Sequence, residues 1–317
     1  MTVASIYESV QAELYQVEER LEQVIKSAPP EMREQLSHGL MSGGKRIRPA
    51  LTLLAGKFHD YNLELLIPMA ASMELLHVAT LIHDDTVDRA HLRHGKMSIN
   101  RAWGDSSAVL LGDYLFANSA CLAAEPRNLR VVTLFAQTLM TVCTGEIEES
   151  VKPFNESKDY YFQMIGNKTA SLFATAAESG AVLSQAPEDV IQSLRSYGYN
   201  LGMAFQMVDD ILDFTSMEEV MGKPVASDLS RGVYTLPVIL FLERPEGNEV
   251  REVLERDKEE GAEVVVDMIR KSSVIEECYQ EVHSYCNRAC SALDQLPGNP
   301  AHDSLTGLAD YIWERKS

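Results

Sequence analysis

Apolar residues recur at three- and four-residue intervals along nearly the whole chain, while the alternation of apolar and polar positions that marks strands is almost absent. The pattern therefore predicts an all-α protein. Chain breakers are sparse, falling at residues 27–32, 41–49, 93–98, 124–128, 151–158, 184–189, 221–232, 244–249 and 296–300. That spacing leaves about ten helices of ordinary length. Residues 63–88 form the most apolar long segment, with too few polar positions for a solvent face before Asp84, and a similar segment runs from Ile191 to Phe214. Both read as helices in the centre of a bundle. No linker-like low-complexity stretch and no repeat of fixed period interrupts the pattern, so residues 1–317 are expected to form a single domain.

Composition narrows the possible chemistry. A hydrophobic content of 45% in 317 residues is ample for a core. The formal net charge of −19 argues against general affinity for nucleic acid or an anionic membrane surface, since the whole-protein field repels phosphate. Any phosphate must be bound locally. The five cysteines, at 121, 143, 278, 286 and 290, show no CxxC spacing, so they read as reduced thiols of a cytoplasmic protein and not as a zinc site. The N-terminus is acidic and amphipathic, without the pattern of a signal peptide, and no uninterrupted apolar run reaches the ~18 residues of a spanning helix. The expectation is a soluble protein with no stable membrane insertion.

Two short segments change the picture. Asp84, Asp85 and Asp88 crowd into one turn at the end of the first apolar segment, and Asp209, Asp210 and Asp213 repeat the spacing at the end of the second. With 17 aspartates in the chain, one DDxxD is expected by chance roughly 0.05 times. A single copy could be a solvated acidic face or a complement to a helix dipole. Two copies, each ending an apolar helix, point instead to the border of a cavity. The like-charge cost of ~0.2–0.5 kcal/mol per i,i+4 pair calls for a cation. An EF-hand is excluded because the stretch after Asp84 lacks alternating oxygen ligands and a central glycine. Magnesium fits, because it takes one or two carboxylates and completes its shell with phosphate oxygens and water.

Basic residues offer the other half of such a site. Lys45, Arg46 and Arg48 follow a Gly-Gly pair, Arg93 follows the first trio, Lys168 sits in GNKTASLF, and Lys223 follows the second trio. A glycine turn with basic residues also suits a plain solvated connection. No P-loop or dinucleotide fingerprint accompanies them.

Taken in order, GGKRIRP, LLHVATLIHDDTVDRAHLRHG, LLGDYLF, GNKTASLF, AFQMVDDILD, GKPVASDLSRGVYTLP and LADYIWER resemble the trans-isoprenyl diphosphate synthases, the polyprenyl synthetase family, over nearly the whole chain. The resemblance implies an antiparallel helical bundle around a deep central cavity (the isoprenoid synthase type I fold), usually a homodimer, acting with magnesium on isopentenyl diphosphate and an allylic diphosphate. By position, it implies that Asp84, Asp85, Asp88, Asp209, Asp210 and Asp213 hold two or three magnesium ions on the allylic diphosphate. It further implies that Arg93, Lys168 and Lys223 contact that leaving group, that Lys45, Arg48, His77 and position 94 bind isopentenyl diphosphate, and that Thr169 and Gln206 lie near the developing allylic cation.

Chain length is read from the residues upstream of the first trio. Ala79 and Thr80 are small where short-product members carry aromatics, so the tail is expected to pass them toward Leu76, Met73 and Phe135, giving a product of about six to eight or more isoprene units. Three positions depart from the family pattern. His94 stands where an arginine is usual, Val233-Tyr234 replace the segment that often carries a lysine before TLP, and KMSIN replaces the commoner Lys-Pro-Thr. Two alternatives stay open. A terpene cyclase of the same architecture would leave the second DDxxD and GGKRIRP without a use, and a non-catalytic partner subunit of a heteromeric synthase would not need both trios.

Overall fold

The computed structural model describes residues 3–41, 44–93, 95–215, 227–256 and 258–315. The helices that frame the molecule are α1 (Gln11–Ser27), α2 (Pro30–Leu40), α3 (Ile47–Gly56), α4 (Leu63–Val87), α5 (Asp105–Ala124), α6 (Leu129–Val151), α7 (Lys158–Ile165), α8 (Ser171–Leu183) and α9 (Glu188–Thr215). They continue with α10 (Leu236–Leu242), α11 (Gly247–Arg256), α12 (Lys258–Arg270), α13 (Val274–Leu293) and α14 (Pro300–Glu314). The architecture is all-α, as the periodicity predicts. Several helices start on side-chain caps. Asn62, Asn128, Ser157 and Asn299 each accept a first-turn backbone N–H, at 3.0, 3.2, 3.2 and 2.8 Å.

Helix α4 is buried on most of its circumference, packing against α5, α3 and α1, and α9 packs against α13 and α8. Both predicted central segments are thus helices inside one contiguous apolar core. The described helical segments outnumber the ten expected, because short pieces are not resolved by the pattern: Ile99–Trp103 follows directly on a breaker and Ser227–Ser230 falls inside one.

Three local features differ from the pattern. Leu92–Arg93 and Lys96–Met97 pair as a small antiparallel hairpin, Leu92 opposite Met97. It is too short for any periodicity to reveal. Residues Gly166–Ala170 form a π-helical turn between α7 and α8. Finally, α4 and α5 are each long and apolar enough to cross a bilayer by length and composition, a test that the buried core helix of a soluble protein also passes, since isolated polar residues do not cancel the hydropathy of a whole helix. Most of the α4 window is buried among neighbouring helices, whereas less than half of the α5 window is.

Candidate active site

Asp84 and Asp88 at the end of α4, and Asp209, Asp210 and Asp213 at the end of α9, line one cavity of about 530 Å³. Helical geometry explains the grouping: residues four apart share a face, so the first and last Asp of each trio point the same way. Asp85 sits off that face. It is buried, lines an adjoining cavity of about 670 Å³, and accepts from Arg93, whose Nε lies 3.1 Å from both carboxylate oxygens and whose Nη2 lies 2.5 Å from Oδ1. The hairpin returns Arg93 to the helix it has just left.

The adjoining cavity is the basic one. Lys45, Arg48, His77 and Arg93 line it. Lys45 Nζ stands 5.1 Å over the Tyr311 ring, and the Arg48 guanidinium 4.6 Å over that of Phe173. Arg48 is buried, with an Nε that has no hydrogen-bond partner, and burial lowers its pKa to about 10, leaving it charged at neutral pH. Arg46 behaves differently. Its left-handed backbone (φ 47°) turns the guanidinium onto Glu18 at 2.5 Å, Glu74 at 2.6 Å and the Leu40 carbonyl at 2.9 Å. It ties α1 and α4 together and is spent on that tie. The two cavities share a wall built from Arg48, His77, Leu81, Arg93, Phe205, Asp209 and Arg315.

The π turn explains how Lys168 and Thr169, neighbours in sequence, both reach the acidic cavity: the wider turn changes the angle between successive side chains. It fits because residue 145 on α6 is glycine, where a Cβ would lie 3.1 Å from the Lys168 nitrogen. Lys168 Nζ lies 2.8 Å from Glu146 and 2.8 Å from Glu149. Burial alone would lower its pKa, but Glu149, Asp84 and Glu146 outweigh that and raise it. Thr169 donates to Gln206 Oε1 at 2.7 Å, and Gln206 Nε2 donates to Asp210 Oδ1 at 2.9 Å. Tyr161 donates to the other Asp210 oxygen at 2.6 Å. The chain of bonds locks the Gln206 amide in one orientation.

Among the described residues, eight carboxylates and five Lys or Arg side chains line the acidic cavity. Burial raises the pKa of Asp84, against Lys168 and Arg93, and that of Asp209, against Arg315, Lys45 and Arg48. It also pushes Asp210 well above the usual range, against the bonds from Tyr161 and Gln206. Such a site favours added positive charge. The donor set fits a hard divalent ion: all the acids offer oxygen, and no described group of three or more acidic, His or Cys side chains is gathered tightly enough to hold an ion alone. Phosphate oxygens and water would complete the shell.

Thr80 also lines the acidic cavity, whereas Ala79, Leu76, Met73 and Phe135 are buried in the core and line neither cavity. His94 and Lys223 lie outside the described residues. Sequence reasoning missed Arg315, which holds Asp209 at 2.6 Å, Arg231, which pairs with Asp88, and the acids Glu146 and Glu149. The i,i+3 spacing of the two glutamates opposite a lysine motif was the available signal.

Comparison with known proteins agrees with this geometry. Residues 29–271 match the family model described as polyprenyl synthetase. The chain is 40% identical to "Heptaprenyl diphosphate synthase component 2" of Geobacillus stearothermophilus, over 99% of each chain. It is 38% identical to the protein of the same name in Bacillus subtilis, over 95% of this chain and 87% of that one. A crystal structure of polyprenyl synthase from Caulobacter crescentus, complexed with calcium and isoprenyl diphosphate, superposes with a TM-score of 0.94 at 30% identity, covering 100% of this chain and 98% of that one. With both aspartate trios ending central helices beside a basic cavity, the chain belongs to the polyprenyl synthetase family of trans-isoprenyl diphosphate synthases and is a trans-prenyltransferase.

Proposed function

We propose that this chain, as a single domain in the cytoplasm, extends an allylic diphosphate such as farnesyl diphosphate with successive isopentenyl diphosphate units to a long all-trans polyprenyl diphosphate. The observation that carries the reading is the pair of cavities, one acidic and one basic, joined through a common wall. Magnesium held by Asp84, Asp88, Asp209 and Asp213 would supply the positive field that makes the allylic diphosphate a leaving group. Lys168 and Arg93 bind the departing oxygens, with Lys223 as a further contact, and Arg93 is aimed by Asp85. Lys45, Arg48, His77 and residue 94 hold the second diphosphate, so that its double bond meets the allylic carbon across the shared wall. Gln206, fixed by Thr169 and Asp210, and the Phe205 ring stabilise positive charge developing there. Leu81, Met164, Ile165 and Leu172 keep water from the cation. The proton lost on restoring the double bond goes to the departing diphosphate. The tail grows past Thr80 and Ala79 toward Leu76, Met73 and Phe135, to about six to eight or more units.

The chain assembles as a homodimer through α5 and α6, which expose Val109, Leu110, Met140 and Ile147 at 43, 66, 68 and 62%. A second reading, a chain active only beside another component, is favoured by the two relatives named component 2. Incubating the purified chain with magnesium, farnesyl diphosphate and isopentenyl diphosphate separates these. Long products from the chain alone support the proposal. Diphosphate release without isopentenyl diphosphate indicates a cyclase, and inertness until another chain is added indicates the two-component enzyme.

A further inference from the structure

The one-turn helix Ser227–Ser230 ends in a tight closure: Val233 N–H donates to the Asp228 carbonyl and Gly232 N–H to that of Leu229, each at 2.9 Å. These are the two bonds of a Schellman end, with glycine at the left-handed position. Gly232 has φ +86°, a Cβ there would lie 2.7 Å from the Phe154 ring, and its carbonyl accepts from Phe154 N–H at 2.7 Å. The backbone that carries Arg231 is therefore held in place.

From that base the Arg231 guanidinium reaches two carboxylates, Asp88 at the end of α4 and Asp228 at 2.5 Å. Its side chain is 33% exposed and lines the acidic cavity with Asp84 and Lys168. Val233, two residues on, lines the same cavity and carries no charge. We infer that Arg231 is a substrate-contacting cation of this site, neutralising Asp88 and Asp228 as the structure stands and turning to the diphosphate oxygens once a divalent ion takes Asp88. The inference rests on the diphosphate reading above. A guanidinium and a divalent ion compete for one carboxylate, so an ion held by Asp88 would free Arg231 for the phosphate oxygens bound in the same cavity. The planar fork of arginine then matches two phosphate oxygens at once. The competing role is a tether that only holds the 228–233 turn to α4.

Calorimetric titration of inorganic pyrophosphate in the presence of magnesium distinguishes the two roles in wild type, R231Q, R231K and R231Q/V233K, with urea denaturation midpoints alongside. R231Q should bind pyrophosphate about tenfold to a hundredfold more weakly. R231K should be intermediate, because lysine keeps the charge and loses the fork, and R231Q/V233K should recover part of the loss by placing an ammonium in the same cavity. Should R231Q not fold, R231K decides: a severalfold weaker affinity at an unchanged midpoint supports the inference. Wild-type affinity in the folded variants overturns it, as does a loss in R231Q that tracks a lowered midpoint and is recovered by neither lysine. No pyrophosphate binding by wild type would overturn the diphosphate reading itself, and this inference with it.

Discussion

Replacing Lys168 by methionine tests the electrostatic account most directly. The side chain keeps its length and loses the ammonium that sits 2.8 Å from both Glu146 and Glu149. Breaking a fully buried pair costs ~3–5 kcal/mol. Here the three side chains are 24, 30 and 14% exposed, so water screens part of the loss and ~1–3 kcal/mol is expected. The cost depends on pH. Burial, with Asp84 and Glu149 against Lys168, raises the Glu146 carboxyl from 4.5 to about 7. The folded state therefore keeps this proton where the unfolded chain has released it. The stability this contributes is fully present below about pH 4.5 and is lost as pH rises through about 7. Without Lys168 the carboxyl rises further, so the variant should fall short of wild type by less at about pH 5, where Glu146 is protonated in both proteins and the contact with Glu149 is what the variant loses, than at about pH 8, where both contacts count. Urea denaturation of both proteins at the two pH values, with chelator present, reads the difference. A K168M midpoint equal to wild type at the higher pH, or an equal deficit at both, would refute the reasoning.

Asp84→Ala and Asp209→Ala should leave folded helical proteins by circular dichroism yet reduce turnover by orders of magnitude; near-normal turnover of both with saturating substrate would remove the metal assignment. Ala79→Tyr should shift the main product to about three or four units while turnover persists, and chromatography of the dephosphorylated products showing the same long chain from both proteins would dismiss the tunnel wall. If His94 binds isopentenyl diphosphate as a cation, apparent affinity should fall as pH rises through the ordinary histidine range near about 6.5. His94→Arg should then flatten the KM-against-pH profile, and an unchanged profile would leave His94 without that role.

The helix class, the two central helices and the gathering of aspartates from both trios at one cavity were legible in the chain because they depend on periodicity and on residue spacing. Helical repeat alone puts Asp84 and Asp88 on one face, and breakers at residues 41–49 and 184–189 lie where α2 gives way to α3 and α8 to α9. Which charges face one another is a different kind of fact. Arg231 and Asp88 are 143 residues apart and Arg315 and Asp209 are 106 apart, and no local pattern encodes such pairs. The same holds for Arg46, one of three adjacent-looking cations in sequence, which the left-handed turn at its own residue diverts to Glu18 and Glu74 while Arg48 is turned to the cavities. The π turn at 166–170 packs closely on a glycine in another helix, where a Cβ would lie 3.1 Å from the Lys168 nitrogen. Local spacing determined which groups could do the chemistry, and tertiary packing decided which of them meet, because ion pairs and close helix contacts are set by distance in space and not along the chain.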